Sequence, residues 1–440
     1  METLKIGYAR RDITPDGQVQ INSVLVSTHI ETPLCVTALS VQSGDTRALV
    51  VSFDIREMTR TFRTVMQTRI AEATGLAESR ILLTATHNHS TPDASYITKD
   101  NILDWRERIC TPAALAAAKA AMADEKTVTA IAGGKTELEN TTYVRRYQRE
   151  DGTWYCIASA NPSKAPLVAH ESKADPELRT VRICRENGED IILVNYQVHA
   201  AHALSLAPTV ICADFIHPLR EKLEEKTGGK VLYLQGCCGN LNSFTRLEAE
   251  KPFAKQTYWD LGYAIADAAL ESMAKEQPLS AGDVRLQLGT LACAVNHTKD
   301  HLADKARELY NVSDPKERTR LLHEAGIANR YEQAQIIRRV EWPEMQGEFH
   351  DMPLAALSFG DVAICFFPLE MFDVLGVRLR SGSSFPMTLP CGYSLDYYSY
   401  LPDSSAFPHG EYEVTQCHYV AGTGEHIVLK LLAMLQEMKK

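Results

Sequence analysis

The sequence has 440 residues, of which 45% are hydrophobic and 23% charged, and its formal net charge is −10 at pH 7. This composition is that of a folded globular protein, and the negative charge disfavours a nucleic-acid backbone or an anionic membrane surface as the main partner. The eleven cysteines contain no CxxC pair, which favours reduced thiols over a disulfide framework. No apolar signal region opens the chain and no run is long enough to cross a bilayer, so we expect a soluble cytoplasmic protein without stable membrane insertion.

Segments rich in β-branched and large apolar residues alternate along the chain with segments that carry apolar residues at helical spacing. The predicted strands are Ala48–Phe53, Arg80–Thr84, Ile191–Val198, Val231–Leu234 and Val362–Phe367. The predicted helices are Phe62–Ala73, Ala113–Ala123, Pro218–Lys226, Tyr258–Lys275 and Glu425–Met438. This alternation predicts a layered α/β or α+β fold with helices on the faces of central sheets. We expect one domain, 1–440, with a charged helical excursion at about 299–339.

The first candidate site follows the predicted strand Arg80–Thr84, where His87 and His89 stand two residues apart in THNHSTPD. If the strand conformation continued, both rings would point to the same side of the chain, as two ligands of one metal ion do. The alternative is a pair of hydrogen-bonded histidines in a turn, because the motif is short.

Two further predicted strand ends carry residues of the same chemistry. His199 and His202 follow the strand Ile191–Val198, and Glu370 follows Val362–Phe367 and Pro368. A buried acid is costly unless it is paired or bound to a metal. Two histidines and a carboxylate from three strand ends form a plausible zinc set with an open position for water. The alternative is that Glu370 stands at the N-terminus of a helix, where the helix dipole favours a carboxylate.

Two loops are chemically distinctive. Residues 234–244, LQGCCGNLNSF, are glycine-spaced, and such a loop can bring backbone N–H groups close to an oxyanion or a phosphate, although the Gly-Lys-Ser/Thr ending of a Walker loop is missing. We expect Cys237 and Cys238 to be buried rather than nucleophilic. Residues 392–414 are dense in tyrosine, which indicates packing, a binding surface, or phenols that reach a metal or a substrate.

Taken in order, these motifs resemble the neutral/alkaline ceramidase family, specifically its N-terminal catalytic domain. The resemblance spans nearly the whole chain and rests on IGYARRDITP (6–15), THNHSTPD (86–93), YVRRY (143–147), VNYQVHAAHA (194–203), ADFIHPLRE (213–221), QGCCGNLNS (235–243), PLEMF (368–372), and YYSYLPD followed by GEYEV. It implies two central β-sheets flanked by α-helices.

The resemblance also implies roles for individual residues. It assigns the Zn²⁺ ligands to His87, His199, Glu370 and Tyr400. It places three catalytic or substrate-binding groups beside the metal: His89, Tyr412 and Arg145, with Arg146 as the alternative to Arg145. The spacing of twelve residues between Tyr400 and Tyr412 favours Tyr400 over Tyr397 or Tyr398 as the ligand.

Two departures from the family pattern concern the chemistry. Asn242 occupies the position of a serine that the family uses in catalysis, and Ser243 is the neighbouring hydroxyl that could take its place. The sequence also shows neither the export signal nor the C-terminal immunoglobulin-like domain of secreted ceramidases. We therefore expect a substrate other than ceramide.

The implied activity is that of a zinc-dependent amidohydrolase acting on a small-molecule N-acyl substrate. Zinc lowers the pKa of a bound water from about 15.7 to about 7, so a serine is dispensable. His89 is the expected proton shuttle, and we expect His89, Tyr412 and the 236–240 backbone to stabilise the oxyanion. The alternatives are hydrolysis of another acyl or lactone bond, or a catalytically silent metal-binding or ligand-binding homologue. The sequence makes no prediction of the oligomeric state.

Overall fold

The computed structural model of the protein describes residues 2–21, 25–94, 99–157, 159 and 161–439. In these ranges the strands are, in chain order, β1 (Lys5–Asp12), β2 (His29–Ile30), β3 (Cys35–Ser43), β4 (Thr46–Phe53), β5 (Ile81–Ala85), β6 (Lys126–Glu137), β7 (Tyr143–Val144), β8 (Tyr147–Arg149), β9 (Trp154–Tyr155), β10 (Leu167–His170), β11 (Glu177–Arg185), β12 (Ile191–Tyr196), β13 (Val210–Ile211), β14 (Lys230–Gln235), β15 (Leu241–Asn242), β16 (Gln277–Leu279), β17 (Val284–Ala294), β18 (Phe349–Phe359), β19 (Val362–Phe366), β20 (Glu370–Met371), β21 (Met387–Cys391) and β22 (Tyr400–Leu401).

The α-helices of the same ranges are α1 (Arg60–Thr74), α2 (Asp100–Asp104), α3 (Thr111–Ala123), α4 (His202–Leu206), α5 (Ile216–Thr227), α6 (Tyr258–Ala274), α7 (Ala303–Tyr310), α8 (Pro315–Glu324), α9 (Arg330–Glu341), α10 (Asp373–Gly382), α11 (Glu411–Thr415) and α12 (Thr423–Lys439). A π-helical turn, Trp105–Cys110, joins α2 to α3. Each strand and helix predicted above from the hydrophobic pattern is present, with ends shifted by at most two residues.

Two sheets form the centre of the molecule. The larger has nine strands in the order β14-β12-β11-β6-β1-β3-β4-β5, with β16 paired to β6, and the smaller has the order β17-β18-β19-β21. In the larger sheet, the pairs β4–β5 and β12–β14 are parallel and the others antiparallel. Because β4, β5, β12 and β14 are almost entirely buried, these strands read as continuous apolar runs.

The two sheets face each other across a shared apolar core, and helices cover their outer faces. Leu39 and Leu193 of the large sheet lie in one core with Leu357 and Ile364 of the small sheet. Helices α1 and α3 pack on one half of the large sheet, α5 and α6 on its other half, and α10 and α12 on the small sheet. The molecule is therefore layered as helix, sheet, sheet and helix, which confirms the predicted α/β fold class with two central sheets.

The charged segment near 299–339 is helical. Helices α7, α8 and α9 surround a small core of their own, formed by Ala306, Leu309, Leu322 and Ile336. Asp314 caps α8 by accepting a hydrogen bond from the Lys316 amide, 2.9 Å away.

The edge strands β5 and β14 of the large sheet are joined by the segment that follows β21. The Ala85 amide donates to the Tyr393 carbonyl at 3.1 Å, and the Gly392 amide donates to the Gln235 carbonyl at 3.0 Å. The chain after β5 and the chain after β14 therefore meet at one place. Among the helices of the described ranges, none combines the length and apolar character needed to cross a bilayer.

Candidate metal centre and active site

The THNH segment leaves β5 as an extended chain and then turns. Backbone amides anchor it on both sides of His87, since Thr86 donates to the Phe53 carbonyl at 2.9 Å and Asn88 to the Ile55 carbonyl at 3.2 Å. His87 itself adopts a left-handed conformation, with φ of 59°. The prediction that strand alternation aims the two histidine rings to one side was therefore wrong in its mechanism, because the strand ends at Ala85. A left-handed turn brings the rings together instead.

The segment after β12 supplies the third histidine. The His89 amide donates to the Ala200 carbonyl at 2.9 Å, and the Cys212 amide donates to the Ser90 carbonyl at 3.0 Å. The first bond fixes the THNH turn against the segment that carries His199, and the second ties Ser90 to the segment that follows β13. Both partner segments lie more than a hundred residues away in sequence.

The Nε2 atoms of His87, His89 and His199 form a nearly equilateral triangle. The distances are 3.0 Å between His87 and His199, 3.1 Å between His87 and His89, and 3.0 Å between His89 and His199. His87 and His199 are buried and His89 is partly exposed. In the described part of the chain, this is the group of histidine, cysteine or acidic side chains whose ligand atoms lie close enough to hold a metal ion.

The protonation pattern of these rings favours a cation between them. Nδ1 of His87 lies 2.8 Å from the Arg56 carbonyl oxygen, which can only accept, so Nδ1 carries the proton. Nδ1 of His199 faces the Cys238 carbonyl in the same way, at the longer distance of 3.4 Å. When both rings are neutral, their facing Nε2 atoms both carry lone pairs. Two lone pairs 3.0 Å apart repel each other, and a shared metal ion would turn this repulsion into ligation.

Glu370 adds a carboxylate to the group. Its Oε2 lies 3.3 Å from Nε2 of His87, and β20 holds it in parallel register with Tyr400 of β22. Burial opposes ionisation of Glu370, but a positive charge at His87, the Tyr397 hydroxyl and Arg145 outweigh burial and hold the pKa of this carboxyl below its usual value. The carboxylate is therefore charged, as a metal ligand must be.

The spacing of these atoms fits zinc. Two ligand atoms that are each 2.0–2.1 Å from a tetrahedral zinc ion lie about 3.3 Å from each other. The distances between donor atoms observed here are 3.0–3.1 Å between the three nitrogens, and 3.3 Å from His87 Nε2 to the Glu370 oxygen. Glu370 is close to His87 but lies outside the group of three histidines whose ligand atoms are all within 4.8 Å of one another. The residues present therefore fit a small divalent ion of this coordination.

Burial keeps the other two histidines neutral. The pKa values of His89 and His199 lie well below the usual histidine value because burial disfavours the charged ring, and His87 and Arg145 act in the same direction. A neutral imidazole can ligate a metal or accept a proton, so these two rings are in the protonation state that either role requires.

Tyrosines from the run 392–414 surround the carboxylate. The Tyr397 hydroxyl donates to Oε1 of Glu370 at 2.5 Å, and the Tyr393 hydroxyl lies 3.4 Å from Oε2. The Tyr393 ring is stacked on His87, with ring centroids 3.8 Å apart, and its hydroxyl lies 3.0 Å from the Cys238 thiol. These contacts orient Glu370 and His87. The tyrosine run therefore packs against the site and also places phenol hydroxyls beside Glu370.

Tyr400, Tyr412 and Arg145 form a second cluster beside Glu370. Nη2 of Arg145 donates to the Tyr400 hydroxyl at 3.0 Å, and the Tyr400 and Tyr412 ring centroids are 5.4 Å apart. The Arg145 guanidinium lies 5.4 Å from the Tyr400 ring and 5.8 Å from the Tyr412 ring. Burial raises the pKa of both tyrosines, although Arg145 opposes the shift, so both phenols are protonated.

The structure separates the two arginines of YVRRY. Arg145 reaches Tyr400, whereas Arg146 points elsewhere and donates to Glu171 at 2.6 Å and to the Gly410 carbonyl at 3.0 Å. Both arginines share the fully buried carboxylate of Glu413, which accepts from Arg145 Nε at 2.7 Å and from Arg146 Nη1 at 2.9 Å. Arg145 is therefore the arginine of the candidate site.

The glycine-spaced loop packs directly against β20. A Cβ atom at Gly239 would lie 2.2 Å from the Glu370 carbonyl oxygen, so only glycine fits here. The Gly239 amide donates to the Met371 carbonyl and the Gly236 amide to the Tyr196 carbonyl, both at 2.9 Å. These two amides are thus occupied, and our expectation that the 236–240 backbone as a whole supplies oxyanion donors was wrong for them.

Asn242 and Ser243 lie in different environments. Asn242 lies in β15, partly exposed and paired with Tyr143. Ser243 is buried, and its hydroxyl lies 2.9 Å from Nδ1 of His202. His202 therefore contacts Ser243 and does not join the histidine triangle. Cys237 and Cys238 are buried, as predicted, and burial raises the pKa of both thiols.

Sequence reasoning missed three residues of this site. Tyr397 was considered only as a less favoured alternative to Tyr400 for the ligand position, Tyr393 was not distinguished from the other tyrosines of its run, and Glu413 was not singled out at all. The signal for Glu413 is weak but present, because an acid in GEYEV beside two consecutive arginines in YVRRY is a possible ion pair. Nothing in the sequence shows that these segments, more than 260 residues apart, are in contact.

No protein-family model and no curated protein matches this sequence. Two solved structures are similar in fold. One, "Ceramidase complexed with C2", has a TM-score of 0.72 and 15% sequence identity, and the match covers 100% of this chain and 76% of that chain. The other, a neutral ceramidase from Pseudomonas aeruginosa, has a TM-score of 0.70 and 16% identity, over 99% of this chain and 75% of that chain. At this identity the likeness is one of fold, and it confirms the resemblance carried by the motifs: the chain has the fold of the neutral ceramidases.

Proposed function

We propose that this protein is a zinc-dependent hydrolase that cleaves the amide bond of a small N-acyl compound. The observation that supports this most directly is the triangle of three Nε2 atoms at 3.0–3.1 Å, two of them with their lone pairs fixed toward each other. The ceramidase fold of the two solved structures adds that an amide is a reasonable substrate.

We assign the metal to His87, His199 and Glu370, with Tyr400 as a fourth and weaker ligand. When bound, zinc acts as a Lewis acid and lowers the pKa of a coordinated water from about 15.7 to about 7. The Tyr400 phenol is protonated and accepts a hydrogen bond from Arg145, so it must lose its proton before it can ligate strongly.

His89 is suited to move a proton. It is partly exposed, its ring is neutral, and its Nε2 lies next to the two assigned ligands. In the described ranges no hydrogen bond fixes its Nδ1, whereas a carbonyl faces Nδ1 of both His87 and His199. We assign His89 the transfer of a proton to the leaving amine at Nε2.

Arg145, Tyr412 and Asn242 face the substrate in this proposal. Arg145 keeps its full charge because burial, which opposes it, is outweighed by Tyr400 and Glu413, which hold its pKa well above the usual value. Its guanidinium can bind a polar or anionic part of the substrate. The Tyr412 hydroxyl is a neutral donor that can stabilise a developing oxyanion.

A serine nucleophile is not part of the proposal. Asn242 stands in the position of the family serine, and the neighbouring Ser243 is buried against His202. Because of this change we propose a substrate other than ceramide. The unpaired cysteines support a cytoplasmic location. The same change supports a second candidate, a metal-binding homologue without activity. If the protein is an active enzyme, the alternative reaction is hydrolysis of another acyl or lactone bond.

The test combines metal analysis with a substrate panel. We expect about one zinc ion per chain, and hydrolysis of at least one N-acyl amide in a series of N-acyl amino acids and N-acyl sugars of increasing acyl length, with a short-chain ceramide included. Esters and lactones of matched acyl length, tested in parallel, distinguish amide hydrolysis from the alternative reaction. Zinc bound without hydrolysis of any amide, ester or lactone would support the silent homologue, and a protein that binds no zinc would contradict both.

A further inference from the structure

A small basic pocket lies outside the histidine site. Its volume is about 280 Å³, and it is lined by six residues: Arg149, Tyr155, Leu167, Arg246, Glu248 and Lys251. None of these residues belongs to the metal site or to the tyrosine cluster. The pocket is formed by β8, β9, β10 and the segment that follows β15.

Arg149 is the buried part of this pocket. It is only 9% exposed, and its guanidinium lies 4.9 Å from the centre of the Tyr155 ring. Nη1 donates to the Ala165 carbonyl at 2.6 Å, but Nε is buried and has no acceptor in the described part of the chain. A buried guanidinium with one N–H unpaired is costly, so this arginine is not satisfied by the protein alone.

Arg246 brings a second positive charge to the same ring. It is exposed, and its guanidinium lies 5.6 Å from the Tyr155 ring centre. Among the described residues no carboxylate lies within 4.0 Å of the guanidinium of Arg149 or Arg246. Two like charges therefore share one aromatic ring without a direct ion pair, and the nearby Asp151 carboxylate feels the Arg149 charge from outside salt-bridge distance. An anion bound between the arginines would stabilise this arrangement.

The charge of the pocket indicates which anion. Glu248 pairs with Lys251 at 2.5 Å, so it does not pair directly with either arginine, and the two arginines together carry a charge of +2. A phosphate monoester carries about −1.5 to −2 at pH 7. Guanidinium groups bind phosphate oxygens through two parallel N–H donors, and the Tyr155 ring and Leu167 offer apolar surface to whatever the phosphate is attached to.

We propose that Arg149 and Arg246, with Lys251 at the rim, bind a phosphate dianion, either free phosphate or the phosphate group of a small phosphomonoester. The Tyr155 ring, whose centre lies 4.9 Å from the Arg149 guanidinium and 5.6 Å from that of Arg246, forms the platform of the site. This site is separate from the proposed hydrolytic site, so either proposal can fail without the other.

Isothermal titration calorimetry of the zinc-loaded protein tests this. Inorganic phosphate and phenyl phosphate serve as probes for the two sources of the dianion, and acetate serves as a monoanionic comparison. We expect both phosphates to bind more tightly than acetate, and Arg246→Gln to weaken phosphate binding by about tenfold or more. Arg149→Lys keeps the charge but loses the two-pronged donor, so we expect weaker binding there too. Arg11→Gln, at an exposed arginine outside the pocket, serves as the control and should bind as the unmodified protein does.

Phosphate can also bind to zinc, so the titration is repeated after the metal has been removed with a chelator. We expect the affinity to be retained and to keep its dependence on Arg246. The proposal is overturned if phosphate does not bind, if acetate binds as tightly as phosphate, if Arg246→Gln binds as Arg11→Gln does, or if binding disappears with the metal. Tighter binding of phenyl phosphate than of inorganic phosphate would identify a phosphomonoester as the ligand, and equal affinity would identify free phosphate.

Discussion

The three histidines of the triangle are equivalent in distance but not in their surroundings. His87 and His199 are buried, and each turns Nδ1 toward a backbone carbonyl, a pattern typical of metal-ligating histidines because it fixes the ring and its tautomer. His89 is partly exposed, and no such partner of its Nδ1 is found in the described ranges. The distances between Nε2 atoms do not distinguish the three rings, so our assignment of His87 and His199 as ligands and His89 as the proton shuttle rests on the contacts of the second nitrogen.

We expect His87→Ala and His199→Ala each to abolish zinc binding, because each removes a lone pair that faces the shared ion. His89→Ala should keep zinc but lose most of the hydrolytic activity. Zinc per chain is measured by mass spectrometry after gel filtration. His202→Ala is the matched control, since His202 contacts Ser243 and should retain the metal. Loss of zinc in His89→Ala to the same extent as in His87→Ala would make His89 a ligand instead.

At the tyrosine cluster, we expect Tyr412→Phe to lower kcat/KM by about 10²-fold or more, because it removes one oxyanion donor from a buried site. Asn242→Ala should keep measurable activity, since no step relies on its amide. Tyr331→Phe is the control, because the Tyr331 ring contacts Tyr412 edge-on with centroids 5.2 Å apart. The measurement is steady-state hydrolysis of the best N-acyl substrate. Equal rates for Tyr412→Phe and Tyr331→Phe would remove Tyr412 from the mechanism.

At the scale of elements, the hydrophobic pattern predicted the strands and helices well, because β5, β12 and β14 are buried on both faces and their apolar runs are unbroken. The turn after β5 could not be predicted. His87 has a Cβ atom, and a left-handed conformation is unusual for such a residue. The conformation is held by bonds from Thr86 and Asn88 to segments that are distant in sequence, which the local pattern does not contain.

This turn leads to a prediction about stability. In metal-free protein, His87→Gly should be more stable than His87→Ala by about 1 kcal/mol, because glycine adopts a positive φ without steric cost. Urea unfolding followed by tryptophan fluorescence measures the difference. The control is Ser52, a buried residue of β4, where we expect the reverse order, with Ser52→Ala more stable than Ser52→Gly. An alanine variant at position 87 that is the more stable of the two would show that the turn is not maintained.

At the scale of the whole molecule, the motifs predicted which residues lie together at the candidate site, but not the contacts that keep those residues in position. Glu370 and Tyr400 were expected at one metal site, and their parallel pairing in β20 and β22 brings them side by side. The support behind them was not visible, because it consists of ion pairs between segments far apart in sequence. Glu413 is the clearest case, since its buried carboxylate joins Arg145 and Arg146 to α11 and also accepts from the Cys156 thiol at 3.1 Å.

The contribution of Glu413 to the free energy of unfolding depends on pH. Burial alone would raise the pKa of Glu413, but Arg145 and Arg146 outweigh burial and hold it below the usual value. In the unfolded chain the carboxyl titrates near about 4.3. The folded state therefore releases this proton more readily than the unfolded state does. The stabilisation by these ion pairs is fully present above that pH, and it is lost as the pH falls through the lower pKa of the folded state.

We therefore expect Glu413→Gln to lower the free energy of unfolding by about 3–5 kcal/mol at pH 7, because it leaves two buried guanidiniums with less negative charge. The difference from the unmodified protein should stay constant between pH 8 and pH 6 and shrink as the pH falls below about 4.3. Urea unfolding at a series of pH values measures it. Glu308→Gln, which breaks an exposed pair with Lys305, should cost no more than about 1 kcal/mol. A loss in Glu413→Gln as small as that of the control, or one that does not change with pH, would mean that the buried ion pairs do not hold Arg145 in place.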